Sequence, residues 1–148
     1  MPADIRLAIS CGGDLTLRGT LTSPWDVAVD GAHTGTVVHR LRVRSGGVAT
    51  SGVSSRLWRR ADGTYAHHLL DPSTGEPAWT GLVAATAVGA TALDAEILAK
   101  TAVLAGPAVG RRLLARRGGV LQHDDGRIEV AAGPAPVRVP RRALEAVA

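Results

Sequence analysis

The sequence is poor in cysteine, aromatic residues and lysine, and each shortage excludes or disfavours some kinds of site or function. The single cysteine, Cys11, excludes an internal disulfide and any zinc site built from several cysteines. Because Cys11 ends an apolar run, we expect a small buried side chain. The 148 residues include no Phe, one Tyr and three Trp. The core is therefore expected to consist of Ala, Val, Leu and Ile.

Lysine is almost absent although the chain is basic. Lys100 is the only lysine beside 16 arginines, and the formal net charge is +4. The arginines are spread along the chain, and with abundant Ala, Gly and Pro they are typical of a high-GC genome. Nucleic-acid binding is disfavoured because aromatic residues for base stacking make up 3% of the chain. Anionic small molecules such as nucleotides remain natural partners for such a surface.

Long apolar runs are also missing. The N-terminus lacks the continuous apolar region of a signal peptide, and no stretch of about twenty apolar residues is free of charge. We therefore expect no membrane association and a cytoplasmic location. With 45% hydrophobic and 20% charged residues, residues 1–148 are expected to form a single globular domain.

The pattern of apolar residues changes between the two halves of the chain. The first half alternates in short runs, as in Val37–Arg44, which predicts antiparallel strands joined by hairpins. Residues 91–105 and 107–117 predict two helices separated by a stop at Gly106, and residues 140–148 predict a short third helix. The first helix is apolar on most faces and is expected to be largely buried. Strands followed by helices indicate the α+β class: a mostly antiparallel sheet with two or three helices packed on it.

The other predicted strands are Ile5–Cys11, Leu15–Arg18, Trp25–Val29, Val48–Ser51, Thr64–Leu70, Gly81–Val88, Val120–His123 and Arg127–Val130. The last two flank a turn at Asp124–Gly126.

The segment from His67 to Pro77 places two histidines before a rigid turn. Pro72 fixes its φ angle, Gly75 tolerates a positive φ, and Asp71 can accept hydrogen bonds from the backbone that follows. A histidine held against such a turn is suited to proton transfer or phosphate contact. The same pattern also fits an ordinary surface turn, and local chemistry leaves both readings open.

Four segments in order resemble the ApbE family, the FAD:protein FMN transferases. They are the strand ending in Gly-Gly-Asp at residues 9–14, Ala-Thr-Ser-Gly at 49–52, His-x-x-Asp-Pro-x-Thr-Gly-x-Pro at 68–77, and the strand and helix from Thr86 onward. The resemblance covers roughly residues 5–125. It implies half of an ApbE-like (T-fold-like) domain, the C-terminal half, without the family's N-terminal part.

The resemblance implies a reaction and a set of site residues. The family splits FAD at its pyrophosphate, transfers FMN to a Thr or Ser of an acceptor protein and releases AMP, usually with Mg²⁺. His68 takes the place of the family's motif histidine, as a base or positioning donor near the pyrophosphate, whereas His67 has no counterpart. The implied cofactor-binding residues are Gly12, Gly13, Asp14, Thr50, Ser51, Gly52, Asp71, Pro72, Thr74 and Gly75. Gly12–Asp14 also fit an ordinary turn.

The metal site departs from the family pattern of Asp followed four residues later by Thr. Glu96 and Lys100 stand at these positions; a Glu can bind Mg²⁺, but a Lys is a poor neighbour for a cation. Glu96 and Lys100 are also spaced for a helical ion pair. Either the Lys100 ammonium takes the place of the metal, or the two form only a pair on the helix surface. Asp94 is expected to act as a charge at the helix N-terminus.

Two kinds of function follow. The chain is an FMN transferase, acting on FAD and an acceptor protein, or it is a non-catalytic flavin-binding or partner subunit. In the second case a second chain, or another copy, would complete the flavin pocket.

Overall fold

The computed structural model describes residues 6–19 and 23–133, and these form an α+β fold. The predicted third helix at 140–148 lies outside the described residues. Ten strands and one α-helix are present in the described part of the chain. The strands are β1 (Leu7–Cys11), β2 (Asp14–Arg18), β3 (Trp25–Asp30), β4 (Val37–Val43), β5 (Gly46–Gly52), β6 (Leu57–Arg59), β7 (Tyr65–His67), β8 (Leu82–Gly89), β9 (Gly119–His123) and β10 (Ile128–Ala131).

Six strands form one antiparallel sheet in the order β1-β2-β5-β8-β9-β10. The strands β3 and β4 form a separate hairpin, as do β6 and β7, which follow a 3₁₀ turn at Ser54–Arg56. The predicted strand positions are confirmed within a few residues. One predicted connection is wrong: β4 and β5 are not neighbours, because β5 pairs with β2 across the β3–β4 hairpin.

The helix α1 (Ala92–Leu114) begins with a reciprocal cap. The Thr91 hydroxyl accepts from the Asp94 N–H at 3.1 Å, and the Asp94 carboxylate accepts from the Thr91 N–H at 3.1 Å. Gly106 has φ 79° and ψ 177°, so the predicted stop is present, with Pro107 after it. This break kinks one helix instead of separating two, so the described residues contain one helix where two or three were predicted.

The sheet is covered on both faces. On the helix face, α1 packs through small and aliphatic side chains, among them Ala85, Ala102, Val103, Leu114 and Leu121. On the hairpin face, β3 and β4 pack over the sheet through Leu17, Val29, Leu41, Val43, Val48 and Val120. The predicted aliphatic core is thus confirmed in two layers. The start of α1 lies so close to the sheet that a Cβ on Gly89 would stand 2.4 Å from the Ala95 nitrogen.

Two predictions of burial are wrong. Cys11 is exposed because β1 lies at the edge of the sheet and all five of its residues are exposed. The helix is buried on one side only, and Leu93 and Ile97 are 64% and 55% exposed on the other. In the described ranges, no helix combines the length and apolar character that crossing a bilayer requires.

Candidate functional site

The predicted turn after His68 forms and is closed by its own hydrogen bonds. The Asp71 carboxylate accepts from the Ser73 N–H at 2.8 Å and from the Ser73 hydroxyl at 2.6 Å. These two bonds, the hydroxyl first, hold the pKa of Asp71 below its usual value. The Gly75 N–H donates to the Asp71 carbonyl at 2.8 Å, with φ 72° at Gly75. Asp71 therefore acts as an ionised cap of the turn.

The end of the turn is fixed in the same way. The Thr74 hydroxyl accepts from the Glu76 N–H at 3.2 Å, and the Arg60 guanidinium pairs with the Glu76 carboxylate at 2.9 Å. A bridge between Leu70 and Pro77 closes the loop. Pro72 is exposed within it. The loop is thus a preformed element that holds the chain on both sides of it in place.

The two adjacent histidines have different surroundings, as strand alternation requires. His67 is fully buried, and its ring meets the Trp79 ring edge to face with centroids 4.4 Å apart. Its Nδ1 accepts from the Leu69 N–H at 3.2 Å. His68 is half-buried, and its Nδ1 has no hydrogen-bond partner within residues 6–19 and 23–133. The His67 Nε2 likewise has no partner in the described residues, and both unpartnered nitrogens are buried, so the two histidines differ in that only the His68 side chain is partly open.

The charges of Arg56 and Lys100, which belong to separate elements, act on His68. Burial lowers the pKa of His68, and the charges of Arg56 and then Lys100 lower it further. Burial raises the pKa of Asp14, the nearby Glu96 raises it further, and Lys100 opposes both. Coulomb interactions weaken with distance and are screened by salt, and the direct contact in this group is the one between the Lys100 ammonium and the Glu96 carboxylate at 3.1 Å. We name this group the charged corner: Asp14, Arg56, His68, Glu96 and Lys100.

Sequence reasoning missed Arg56 among these residues. It ends the 3₁₀ turn before β6 and belongs to none of the four segments that carry the resemblance. Arg56 is one of 16 arginines spread along the chain, so its residue type alone does not single it out. Only the fold brings Arg56 close to His68, to which β7 leads directly.

The predicted site residues at the start of the chain form a tight turn. Gly12 and Gly13 have φ 61° and 99°, which is the geometry of a two-residue hairpin between β1 and β2. A Cβ on either glycine would meet no atom within 4 Å. The turn therefore explains both glycines, and their contact with a ligand stays a prediction. Asp14 follows as the first residue of β2 and belongs to the charged corner.

The predicted site residues on β5 divide between the two faces of the sheet. Thr50 pairs with Thr86 on the hairpin face, and their hydroxyl oxygens lie 2.8 Å apart. Ser51 pairs with Ala85 on the helix face and is buried. A Cβ on Gly52 would stand 3.0 Å from the Val83 carbonyl oxygen, so tight strand packing accounts for this glycine. Of the two hydroxyls, Ser51 shares the helix face with the charged corner; the flavin-binding roles stay predictions.

The residues present do not fit a divalent cation. The Lys100 ammonium lies 3.1 Å from the Glu96 carboxylate, which would place two cations on one carboxylate. The Asp94 carboxylate is engaged in the helix cap. Over the described ranges, no group of three His, Cys, Asp or Glu side chains is arranged to hold a metal. Glu96 as a Mg²⁺ ligand therefore stays a prediction without support from this donor set.

The residues of the charged corner are exposed or half-buried. None of them lines the cavity of about 390 Å³ between the start of α1 and Arg116–Arg117. A ligand as large as a dinucleotide needs walls on several sides. Further polypeptide would be needed to enclose one here.

The fold is that of flavin transferases of known structure. The ApbE protein of Thermotoga maritima superposes with a TM-score of 0.72 and 29% identity, over 85% of this chain and 42% of that one. The flavinyl transferase ApbE of Pseudomonas stutzeri gives 0.61 and 27%, over 84% and 41%. The class defined by the fold is thus an α+β domain similar to part of a flavin transferase.

Sequence comparison assigns the family. The ApbE family pattern matches residues 6–122, so the chain belongs to the ApbE family, as the four segments predicted. The FAD:protein FMN transferase of Escherichia coli K12 is 32% identical over 117 residues, which are 76% of this chain and 33% of that protein. That of Salmonella typhimurium is 35% identical over 95 residues. The chain spans about a third of the length of these relatives.

Proposed function

We propose that the chain contributes the histidine loop of a flavin transferase that cleaves FAD and transfers FMN to a Thr or Ser of an acceptor protein. The observation that carries the proposal is His68, held by a preformed loop beside Arg56 and Lys100. Family membership and the names of the relatives support flavin transfer as the reaction class. The acceptor protein and the cytoplasmic location stay predictions from the sequence.

The electrostatics of the charged corner suit His68 to act as a base. Its pKa is lowered by burial, by Arg56 and by Lys100, so the imidazole is neutral near pH 7. A neutral imidazole can accept a proton on the ring nitrogen that carries none. The two neighbouring cations favour the approach of an anionic phosphate to the same place.

The reaction is a phosphoryl-group transfer. The acceptor hydroxyl oxygen attacks the phosphorus of the FMN half of FAD, and the bond from this phosphorus to the bridging oxygen breaks. AMP leaves with the bridging oxygen and the electron pair, and His68 takes the hydroxyl proton. Such transfers depend mainly on positioning and on stabilising charge on the phosphate oxygens. Arg56 and Lys100 would supply part of that charge.

The rest of the flavin pocket is proposed to come from polypeptide beyond these 148 residues, in the same or another chain. Apolar side chains that are open to solvent in the described residues support this proposal. Leu7 and Ile9 on the edge strand are 45% and 53% exposed, and Trp79, beside the loop, is 59% exposed. Leu7 and Ile9 are two residues apart and so share one face of β1, and exposed apolar side chains that lie together mark a surface that another segment covers.

The test is a flavinylation assay. The chain, alone and with candidate polypeptides that supply the other part of the fold, is mixed with FAD and an acceptor protein carrying a Thr. We expect covalent flavin fluorescence on the acceptor and release of one AMP per flavin transferred. His68→Ala is expected to lower the rate about 100-fold or more, the usual contribution of a positioned base.

His33→Ala is the matched control, because His33 is exposed and lies in the turn between β3 and β4. Its rate should equal that of the unchanged chain. Absence of both covalent FMN and AMP with every completing polypeptide overturns the proposal. Equal rates for His68→Ala and His33→Ala overturn the role of His68.

A non-catalytic partner subunit is the second candidate. The exposed edge strand β1 favours it, because an unpaired edge with apolar side chains is a natural place for another chain to dock. In that case flavin binds to the assembled complex without AMP release. Light scattering that shows a monomer, together with no flavin affinity in any mixture, contradicts this candidate.

A further inference from the structure

The pair of Glu96 and Lys100 occupies the place in α1 where the resemblance predicts a metal ligand. The Lys100 ammonium and the Glu96 carboxylate are 3.1 Å apart, and their side chains are 46% and 42% exposed. An exposed pair of this kind contributes little to folding. The Lys100 ammonium is therefore an accessible cation that belongs to the protein itself and contributes little to its stability.

The charge of Lys100 acts on two other residues of the charged corner. Its charge acts on Asp14 of β2 and on His68 after β7, which are far apart in the sequence. Arg56 acts on His68 as well. The corner thus presents two cations whose charges act on the same histidine, and the Lys100 side chain stays 46% exposed beside its carboxylate partner, Glu96.

A second cation of high charge is disfavoured at this place. A divalent ion bound to Glu96 would lie a few ångströms from the ammonium that already pairs with it, and like charges at that range repel. An anion experiences the opposite force. Lysine is a common phosphate ligand, acting as a point charge with three donors.

We propose that Lys100 is a tethered cation that contacts the pyrophosphate of the flavin dinucleotide, in place of a divalent metal bound at Glu96. This assignment rests on the proposed function. Arg56, whose charge also acts on His68, assists as the second cation. Phosphate binding by this chain is accordingly independent of Mg²⁺ and depends on salt, because the contact is ionic.

Binding of inorganic pyrophosphate to the chain tests the assignment directly. We expect the chain to bind pyrophosphate in EDTA, as measured by calorimetry and by the NMR signals of the His68 ring. Adding Mg²⁺ should not increase the affinity. Lys100→Gln removes the charge and is expected to weaken binding about ten-fold, the usual scale of one charge-assisted contact. Lys100→Arg keeps the charge and should retain most of the affinity.

Arg112→Gln is the matched control, since Arg112 is exposed on the last turn of the same helix. It should bind pyrophosphate as the unchanged chain does. A second readout needs no ligand: Lys100→Gln should raise the pKa of His68, because the charge of Lys100 lowers it in the unchanged chain.

Three results overturn the assignment: no binding in EDTA, binding that appears only with Mg²⁺, or equal affinity for the unchanged chain and Lys100→Gln. The assignment and the proposed function fail separately. Flavin transfer that requires Mg²⁺ supports the function and removes the role of Lys100. Pyrophosphate binding in EDTA, with no flavin transfer in any mixture, supports the phosphate-binding role of Lys100 and contradicts the proposed function.

Discussion

The two faces of the six-stranded sheet hold their polar groups differently. On the hairpin face the polar groups are neutral, and those of Gln122 are paired: its side-chain amide accepts from the Ala32 N–H at 2.7 Å and donates to the Asp30 carbonyl at 2.9 Å. The hydroxyls of Thr50 and Thr86 pair on the same face. Buried polar groups stabilise a fold when they are satisfied in this way.

Beside the helix face the polar groups are charged and partly open. Lys100 and Glu96 are nearly half exposed, and the His68 ring has a nitrogen without a partner in the described part of the chain. Exposed charges of this kind add little to stability. The comparison teaches that the hairpin face holds the fold together, whereas the charged corner is available for ligand chemistry.

The largest expected effect comes from lifting α1 off the helix face. In Gly89→Ala the new Cβ would stand 2.4 Å from the Ala95 nitrogen and 2.8 Å from the Thr91 carbonyl oxygen. Because these are backbone atoms, the helix must shift, and we expect a loss of about 3 kcal/mol in the free energy of unfolding. Urea denaturation measures it.

Gly126→Ala is the control for this prediction. Its Cβ would meet no atom within 4 Å, although φ is 85°, so the expected loss is about 1 kcal/mol. Equal losses in the two variants would show that α1 does not depend on this close approach. Because α1 carries Lys100, Gly89→Ala should also raise the pKa of His68, which NMR follows.

An intermediate effect is expected from opening the hairpin face. Gln122 is 3% exposed, so Gln122→Ala leaves the Ala32 N–H and the Asp30 carbonyl without their partner. We expect a loss of about 2 kcal/mol in denaturation. Gln122→Leu keeps the volume and should lose a similar amount if the hydrogen bonds matter.

The same variants test the separation of the two faces. The pKa of His68 should stay unchanged in Gln122→Ala, because the hairpin face carries none of the charges that act on it. A shift in that pKa, or full stability of Gln122→Leu, would remove the distinction between the faces.

The smallest expected effect is a dependence of the free energy of unfolding on pH. It tests the difference in burial between His67 and His68. Burial first, and then the charge of His68, lower the pKa of His67 below its ordinary value of 6.5. Between the folded and unfolded pKa values the unfolded chain binds more protons. The stability is therefore complete above about pH 6.5 and falls as the pH decreases toward the folded pKa.

Urea denaturation at pH 7.5 and pH 5.5 measures this dependence. His67→Asn should reduce it more than His68→Asn does, because His67 is fully buried whereas His68 is half-buried. Stability that rises on acidification, or an equal effect of the two substitutions, contradicts the prediction.

Much of the fold was predictable because it depends on residues a few positions apart. Asp124–Gly126 and Gly12–Gly13 predicted hairpin turns, and both form. Thr91 predicted the start of α1, where its side chain and that of Asp94 cap the helix. The His68 loop closed as its Asp, Pro and Gly predicted.

Other features were not predictable because they depend on which surfaces meet. Alternating residues in β4 indicate a strand but not its partner, so the pairing of β5 with β2 was missed. The exposure of Cys11 follows from the edge position of β1. Arg56 has no motif around it and gains a role only through its distance from His68.

The sequence by itself determined the local conformations and the family. Turn chemistry, helix capping and periodicity act over a few residues, and four ordered motifs were enough to indicate ApbE membership. Only the tertiary structure decided which charges meet. Asp14, Arg56, His68 and Lys100 come from separate elements, and the packing of α1 on the sheet brings Lys100 close enough to act on two of them. The physical reason is that Coulomb forces depend on distance in space, which the order of residues does not specify.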